Sequence, residues 1–139
     1  MKIMAIDYGT SSVGVALTDP LAVIAQPYLT IKYSSKRSLI DRLKSIIKEN
    51  EVRLVLIGNP ISHQGTATAL SEEIAAFAGK LARSTGIEVK LWDERLTSKY
   101  ADARLRELGM TRRQRAKKID QVAAAIILEE YLQSCPSTA

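Results

Sequence analysis

The hydrophobic period of this chain first changes near residue 33, and that change restricts the folds open to it. Before it, apolar residues come in short blocks of strand length. Ile3, Met4, Ala5 and Ile6 stand in succession between Lys2 and Asp7, which predicts a strand buried on both faces. Val13 to Thr18 predicts a second strand. Ala22 to Ile31 predicts a third, at a sheet edge, because Pro27 has no N–H to offer a neighbour. The connections, Tyr8 to Ser12 and Asp19-Pro20, are short and rich in turn residues, so the three strands predict an antiparallel meander.

Beyond residue 33 the apolar spacing becomes helical. Leu39, Ile40, Leu43, Ile46 and Ile47 mark one face of a helix between Lys36 and Asn50. Val52 to Ile57 is a strand that ends at Gly58-Asn59-Pro60. Leu70, Ile74, Phe77 and Leu81 face inward from a second helix, and Ile87, Val89 and Leu91 alternate with charges in a fifth strand. Helices over 98–108 and 118–133 complete the chain, the first stopped by Gly109. Strands separated by helices imply parallel crossovers. The expected fold class is therefore α/β: a five-stranded mixed sheet, the meander plus two parallel strands, with helices on both faces. At 139 residues, 46% of them hydrophobic, the chain is sized to fill one core, so 1–139 reads as a single domain. Residues 134–139 read as a flexible tail.

Composition removes several classes. One cysteine, Cys135, excludes a disulfide framework and a cysteine-rich zinc site. No apolar run approaches the roughly 18 residues of a membrane helix, and the N-terminus has no secretory pattern, so the expected compartment is the cytoplasm. The charge is uneven. Arg95 to Lys118 holds nine of the twenty basic residues and two of the fifteen acids, Asp102 and Glu107. All of the positive excess lies in this segment, which suggests a polyanionic partner, nucleic acid above all. The plainer reading is a solvated helix face and loop.

The acids are placed for chemistry. In an open α/β sheet, sites gather at the carboxyl ends of parallel strands. Asp7 ends the first strand; Asp93 and Glu94 end the fifth. Asp120 heads an apolar helical face made by Ala123, Ala124 and Ile127. An inward carboxylate needs a cation or hydrogen-bond donors, and clustered carboxylates stay ionised only beside a neutralising cation. Oxygen ligands alone favour Mg2+ or Mn2+, and two such ions about 3.5–4 Å apart can clamp both oxygens of a phosphodiester displacement. Each acid also has a plainer reading: Asp120 as a first-turn helix acid, Asp7 as a turn former, Glu94 as an exposed strand end. Alternation alone leaves both Asp93 and Glu94 open.

In their order and spacing, DYGTSSVGVALTD from Asp7, GNPISHQG from Gly58, DERLTS from Asp93 and IDQVAAAIILEEYL from Ile119 resemble the YqgF/RuvX family, over Met1 to about Gln133. Its members are regarded as Holliday junction resolvases and as nucleases that mature the 5′ end of pre-16S rRNA. The resemblance implies a ribonuclease H-like fold and metal-dependent hydrolysis with two Mg2+ or Mn2+ ions. Asp7 would contact both ions, and Glu94 and Asp120 one each. The chain departs from the family where DxGxxRxGxA has its Arg: that position is Ser12. Gly58-Asn59-Pro60 lacks the acid that the related RuvC resolvases carry there, and no acid follows Asp120 until Glu129.

For nucleic-acid contact the candidates are Gly9 and Thr10, whose turn could cradle a phosphate with backbone N–H groups, and the cations Arg95, Arg112, Arg113, Arg115, Lys117 and Lys118. Gly109 to Lys118 (GMTRRQRAKK) reads as a basic loop running into Asp120. His63 reads as an exposed loop residue, and Trp92 and Tyr100 as core or as base-stacking rings. Two other function classes fit parts of this pattern. One is a non-catalytic nucleic-acid-binding module assisting ribosome assembly. The other is a nucleotide-hydrolysing actin-like or sugar-kinase-like domain, which shares Asp-x-Gly-Thr but needs a second domain to enclose its nucleotide. A resolvase needs two sites and hence a homodimer; an rRNA-trimming enzyme need not dimerise, so the expected state is a monomer or a homodimer.

Overall fold

The computed structural model of the chain describes residues 1–60, 69–94, 102–103 and 105–134, without the side chains of Pro60, Glu94 and Lys117. His63, Tyr100 and Cys135 lie outside the described residues. Five strands, β1 (Lys2–Tyr8), β2 (Ser12–Thr18), β3 (Ala25–Lys32), β4 (Val52–Pro60) and β5 (Glu88–Glu94), form one sheet in the order β3-β2-β1-β4-β5. β1, β2 and β3 pair antiparallel as the meander requires; β4 lies parallel to β1, and β5 parallel to β4. β3 starts three residues later than its apolar residues suggest. The Asp19 carboxylate accepts from the N–H groups of Val23 and Ile24 at 2.8 and 2.9 Å, which keeps this stretch in a turn. The same two bonds, Ile24 first, hold the Asp19 carboxyl below its ordinary range.

Helices cover both faces. α1 (Lys36–Glu49) and α2 (Ala69–Thr85) lie on one. Ser35 caps α1, accepting from the Ser38 N–H, and Leu39, Leu43, Ile46 and Ile47 form its buried stripe. These pack with Ile74, Phe77 and Leu81 of α2 on Met4, Ile6, Val13, Val15, Val55 and Ile57. Leu70 is exposed because it stands in the first turn of α2, and Leu91 because β5 is an edge. The other face carries one long helix, α3 (Arg112–Ser134), whose Ala124, Ala125, Ile127 and Leu128 pack on Ile3, Ala5, Ala16, Leu54 and Leu56. Small residues on both sides bring the helix close to the sheet.

α3 corrects the sequence reading of the basic segment. The helix starts at Arg112, six residues before the expected start, so most of GMTRRQRAKK is helical and not a loop. The cause is a capping box. Thr111 Oγ1 accepts from the Gln114 N–H at 3.2 Å, and Gln114 Oε1 accepts from the Thr111 N–H at 2.8 Å. Residues 102–103 and 105–107 are also helical. This turn stops at Gly109 (φ 77°), where the Gly109 and Met110 N–H groups close back on Arg106 and Leu105, as expected for a glycine cap.

α3 approaches the sheet closely at Gly14 of β2. A Cβ there would collide with the backbone carbonyl of Asp120 and the N of Gln121. Backbone atoms cannot swing aside as a side chain can, so the helix itself would have to lift. Gly14→Ala is expected to destabilise the fold by at least the roughly 1–3 kcal/mol of an overpacked core, seen as a lower urea midpoint. A midpoint equal to the parent's would show that α3 does not rest on Gly14.

Candidate active site

The sheet places Asp7 one residue before the end of β1, half-buried, opposite Gly14 of β2. Strand alternation fixes its face. Met4, Ile6 and Tyr8 belong to the α1–α2 side; Ile3 and Ala5 pack under α3, so Asp7 takes the α3 side. Asp120 comes to the same place from above. Its backbone lies on Gly14, the residue paired with Asp7, and its Oδ2 accepts a hydrogen bond from Ser12 Oγ at 3.0 Å. Two acids separated by more than a hundred residues of chain are thus assembled by one strand pair and one helix-on-strand contact.

β5 supplies the third position. Trp92 lies on the α3 side, where its ring meets Tyr131 edge-on at 5.5 Å and its indole N–H donates to Glu130 at 3.3 Å. Position 94 has the same parity as Trp92, and position 93 the opposite parity. Asp93 accordingly accepts from Asn59 Nδ2 at 3.3 Å, on the α1–α2 side with Val89. The side chain of Glu94 lies outside the described residues; its strand position is opposite Pro60 at the carboxyl end of β4. Among the described residues no three carboxylate, histidine or cysteine side chains form a cation cluster, a set from which Glu94 is missing.

The remaining predicted contacts divide. Arg112, Arg113 and Lys118 are exposed on α3, and Thr10 is exposed in the β1–β2 turn. Gly9 is half-buried in that turn, its carbonyl accepting from the Tyr33 hydroxyl at 2.6 Å. Arg95 lies outside the described residues, as does the side chain of Lys117. Arg115 turns inward. Its guanidinium donates to Asp102 at 2.8 Å and to the Met110 carbonyl at 3.0 Å, and only 14% of its side chain is exposed. It ties the 102–110 segment to α3 and has little left to give a phosphate. On the opposite face, burial pushes the Tyr8 hydroxyl well above the ordinary phenol range, with Tyr33 and Glu73 adding to the shift. That hydroxyl meets no partner at hydrogen-bond geometry.

Ser12, Gly14 and the Thr111–Gln114 cap are the positions that sequence reasoning passed over as builders of this site. Signals for two of them were present: a glycine inside a strand pattern marks a close backbone approach, and Thr-x-x-Gln before an apolar face marks a helix start. Nothing in the sequence linked Ser12 to Asp120.

Comparison with known proteins identifies the family and the fold. The family described as RuvX: Holliday junction resolvase matches residues 1–134. A Lachnospira eligens protein, named provisionally as a pre-16S rRNA nuclease, is 44% identical, with 96% of this chain and 98% of that protein covered. A Clostridioides difficile protein of the same name is 40% identical, with 94% and 93% covered. Among solved structures, Thermus thermophilus RuvC in complex with a Holliday junction superposes with a TM-score of 0.59 at 16% identity, covering 96% of each chain. Fowlpox virus resolvase with junction DNA gives 0.60 at 11%, covering 96% of this chain and 98% of that one. The fold is that of the RuvC-like resolvases, the ribonuclease H-like class.

The inward turn of Arg115 has a measurable consequence. Arg115→Ala removes the more buried of the two Asp102 partners, leaving Arg106 at 3.1 Å, and is expected to lower stability by about 1 kcal/mol while leaving the salt dependence of nucleic-acid binding unchanged. A flattened salt dependence at unchanged stability would put Arg115 in the binding face instead.

Proposed function

The chain belongs to the family of RuvX Holliday junction resolvases, and from that premise we propose that it is a nuclease hydrolysing phosphodiester bonds in structured nucleic acid. Asp7, Glu94 and Asp120 are its catalytic and metal-holding residues. One observation carries the reading: Asp120 is seated on Gly14, opposite Asp7, on the sheet face that strand parity also gives to position 94. The donor set fits a hard divalent cation. The three side chains offer carboxylate oxygens, and Asp7 and Asp120 are half-buried. Bound Mg2+ or Mn2+, two ions in this reading, supplies an activated water and charge neutralisation at the phosphate. The protein's own part is to hold the three carboxylates at one sheet edge and to grip the flanking backbone.

Arg113 serves that grip. It lies seven residues before Asp120, two helical turns up the same stripe and about 10 Å along the axis. Arg112, Lys117 and Lys118 widen the patch, Arg95 and the Gly9-Thr10 turn border it, and the positive end of the α3 dipole adds to its field. The favoured substrate is a precursor of 16S rRNA. The relatives at 40–44% identity carry that name, whereas the junction-bound structures, at 11–16%, bear on the fold. Trimming one strand requires a single site, so the working form is a monomeric domain of the cytoplasm.

The test is cleavage of a 5′-extended rRNA precursor and a four-way DNA junction, each with Mg2+, Mn2+ or EDTA. Cleavage of the precursor is expected with either metal and is lost in EDTA. Asp7→Asn should lower it at least about a hundredfold, a few kcal/mol of transition-state stabilisation, with binding retained. Metal-dependent cutting of the junction alone would move the substrate to DNA. Binding of both without cutting would make the protein a non-catalytic module.

The grip has its own measurement. Arg112→Ala with Arg113→Ala should reduce the slope of log affinity against log salt by about 0.7–0.9 for each phosphate that these two side chains neutralise. An unchanged slope would place the binding face elsewhere.

A further inference from the structure

We propose that Ser12 is a positioning residue, whose hydroxyl sets the direction of the Asp120 carboxylate toward the cation; this rests on the site reading above. The contact spans 108 residues of chain and is the hydrogen bond between Ser12 Oγ and Asp120 Oδ2, at 3.0 Å and partly buried. The residues three and four positions beyond Asp120 are Ala123 and Ala124, which have no side-chain donor. The helix therefore offers Asp120 no partner on its downstream side, and the strand provides one. A bond to a carboxylate is stronger than one between neutral groups. Because it engages Oδ2, it also fixes where Oδ1 presents its lone pairs. Serine does this without bringing a positive charge, so the carboxylate keeps its full charge for a metal ion.

The donor is itself held. Ser12 opens β2 and is paired with Lys32 of β3, and the Ser11 carbonyl accepts from the Tyr33 N–H at 3.1 Å. The Tyr33 hydroxyl donates to the Gly9 carbonyl at 2.6 Å. Both of these carbonyls of the β1–β2 turn are thus tied to Tyr33, a residue just beyond β3. On the other side, Gly14 lets the Asp120 backbone rest on the strand. Donor and acceptor backbones are each fixed, which leaves the two side-chain torsions of Asp120 for the hydroxyl to choose.

The test is Mn2+ binding by calorimetry, alongside cleavage at varied Mn2+, in the full chain. Loss of an orienting hydrogen bond weakens metal binding about 10–100-fold. Ser12→Ala is expected to raise the Mn2+ dissociation constant by at least about tenfold, to shift the Mn2+ midpoint of cleavage equally, and to leave the urea midpoint unchanged. Ser12→Thr, which keeps the hydroxyl, should recover most of the affinity. Ser12→Val, matching threonine in shape without the donor, should not, and this pair holds the test should alanine loosen the strand. Parental Mn2+ affinity in both Ser12→Ala and Ser12→Val would overturn the positioning role alone. A parent protein that takes up no Mn2+, and no less after Asp7→Asn, would overturn the site reading and this inference together.

Discussion

The site depends on one steric permission: hydrogen in place of a methyl group at Gly14. Because β2 has no side chain there, the backbone of α3 reaches van der Waals contact with the strand at the residue paired with Asp7. The backbone of Asp120 then rests on the residue that pairs with Asp7. Short acids suit this arrangement. Aspartate has two side-chain torsions, so a carboxylate set on fixed backbone loses little entropy when ordered. A glutamate reaching from a more distant helix would lose more and be placed less sharply. The alanines of α3 serve the same end, since small residues along the contact keep the helix axis low over the sheet.

Gathering carboxylates at one edge costs free energy through repulsion and desolvation. The arginines at the start of α3 are sorted into two kinds. Arg115 works inward, holding Asp102 and the Met110 carbonyl, and so fixes the segment that leads into α3. Arg112 and Arg113 stay in solvent, where in the proposed reading they meet a polyanion. Two residues apart in sequence, Arg113 and Arg115 differ by about 200° around the helix. A charge count treats them as equivalent, and the helical phase does not.

Much of the fold was legible because it follows from spacing. The buried run before Asp7, the helical stripe of Leu39 to Ile47 and the alternation of Ile87 to Leu91 each required one type of element, and handedness and connection rules left few ways to join them. The start of α3 was misplaced because Arg, Gln and Lys around residues 112–118 show no apolar period. Propensity and the Thr111–Gln114 box decide there, and both outrank composition. The choice between Asp93 and Glu94 was closed to periodicity, since either parity gives a plausible strand. The structure shows Asp93 accepting from Asn59 on the α1–α2 side, while the side chain of Glu94 lies outside the described residues. Ser12 was invisible for a different reason. Its partner is a side chain across the fold, and no local pattern encodes a contact of that range.

The capping box also sets the relation between grip and chemistry. A helix that begins at Thr111 carries Arg113 and Asp120 in one stripe, seven residues apart, and keeps them so because an α-helix does not stretch. Had the basic segment been the loop its composition suggests, each cation would have ranged over many positions relative to the acids. Phosphate binding would then have done little to register a scissile bond. With the helix in place, a phosphate held at Arg113, as proposed, would lie at a set distance from Asp120. Ser12 and Gly14 hold Asp120 to β2, and β2 is hydrogen-bonded to the strand that carries Asp7. In the proposed reading, binding energy gained at the N-terminal turn reaches the carboxylates through rigid elements, the condition under which binding remote from a reacting bond can assist its cleavage.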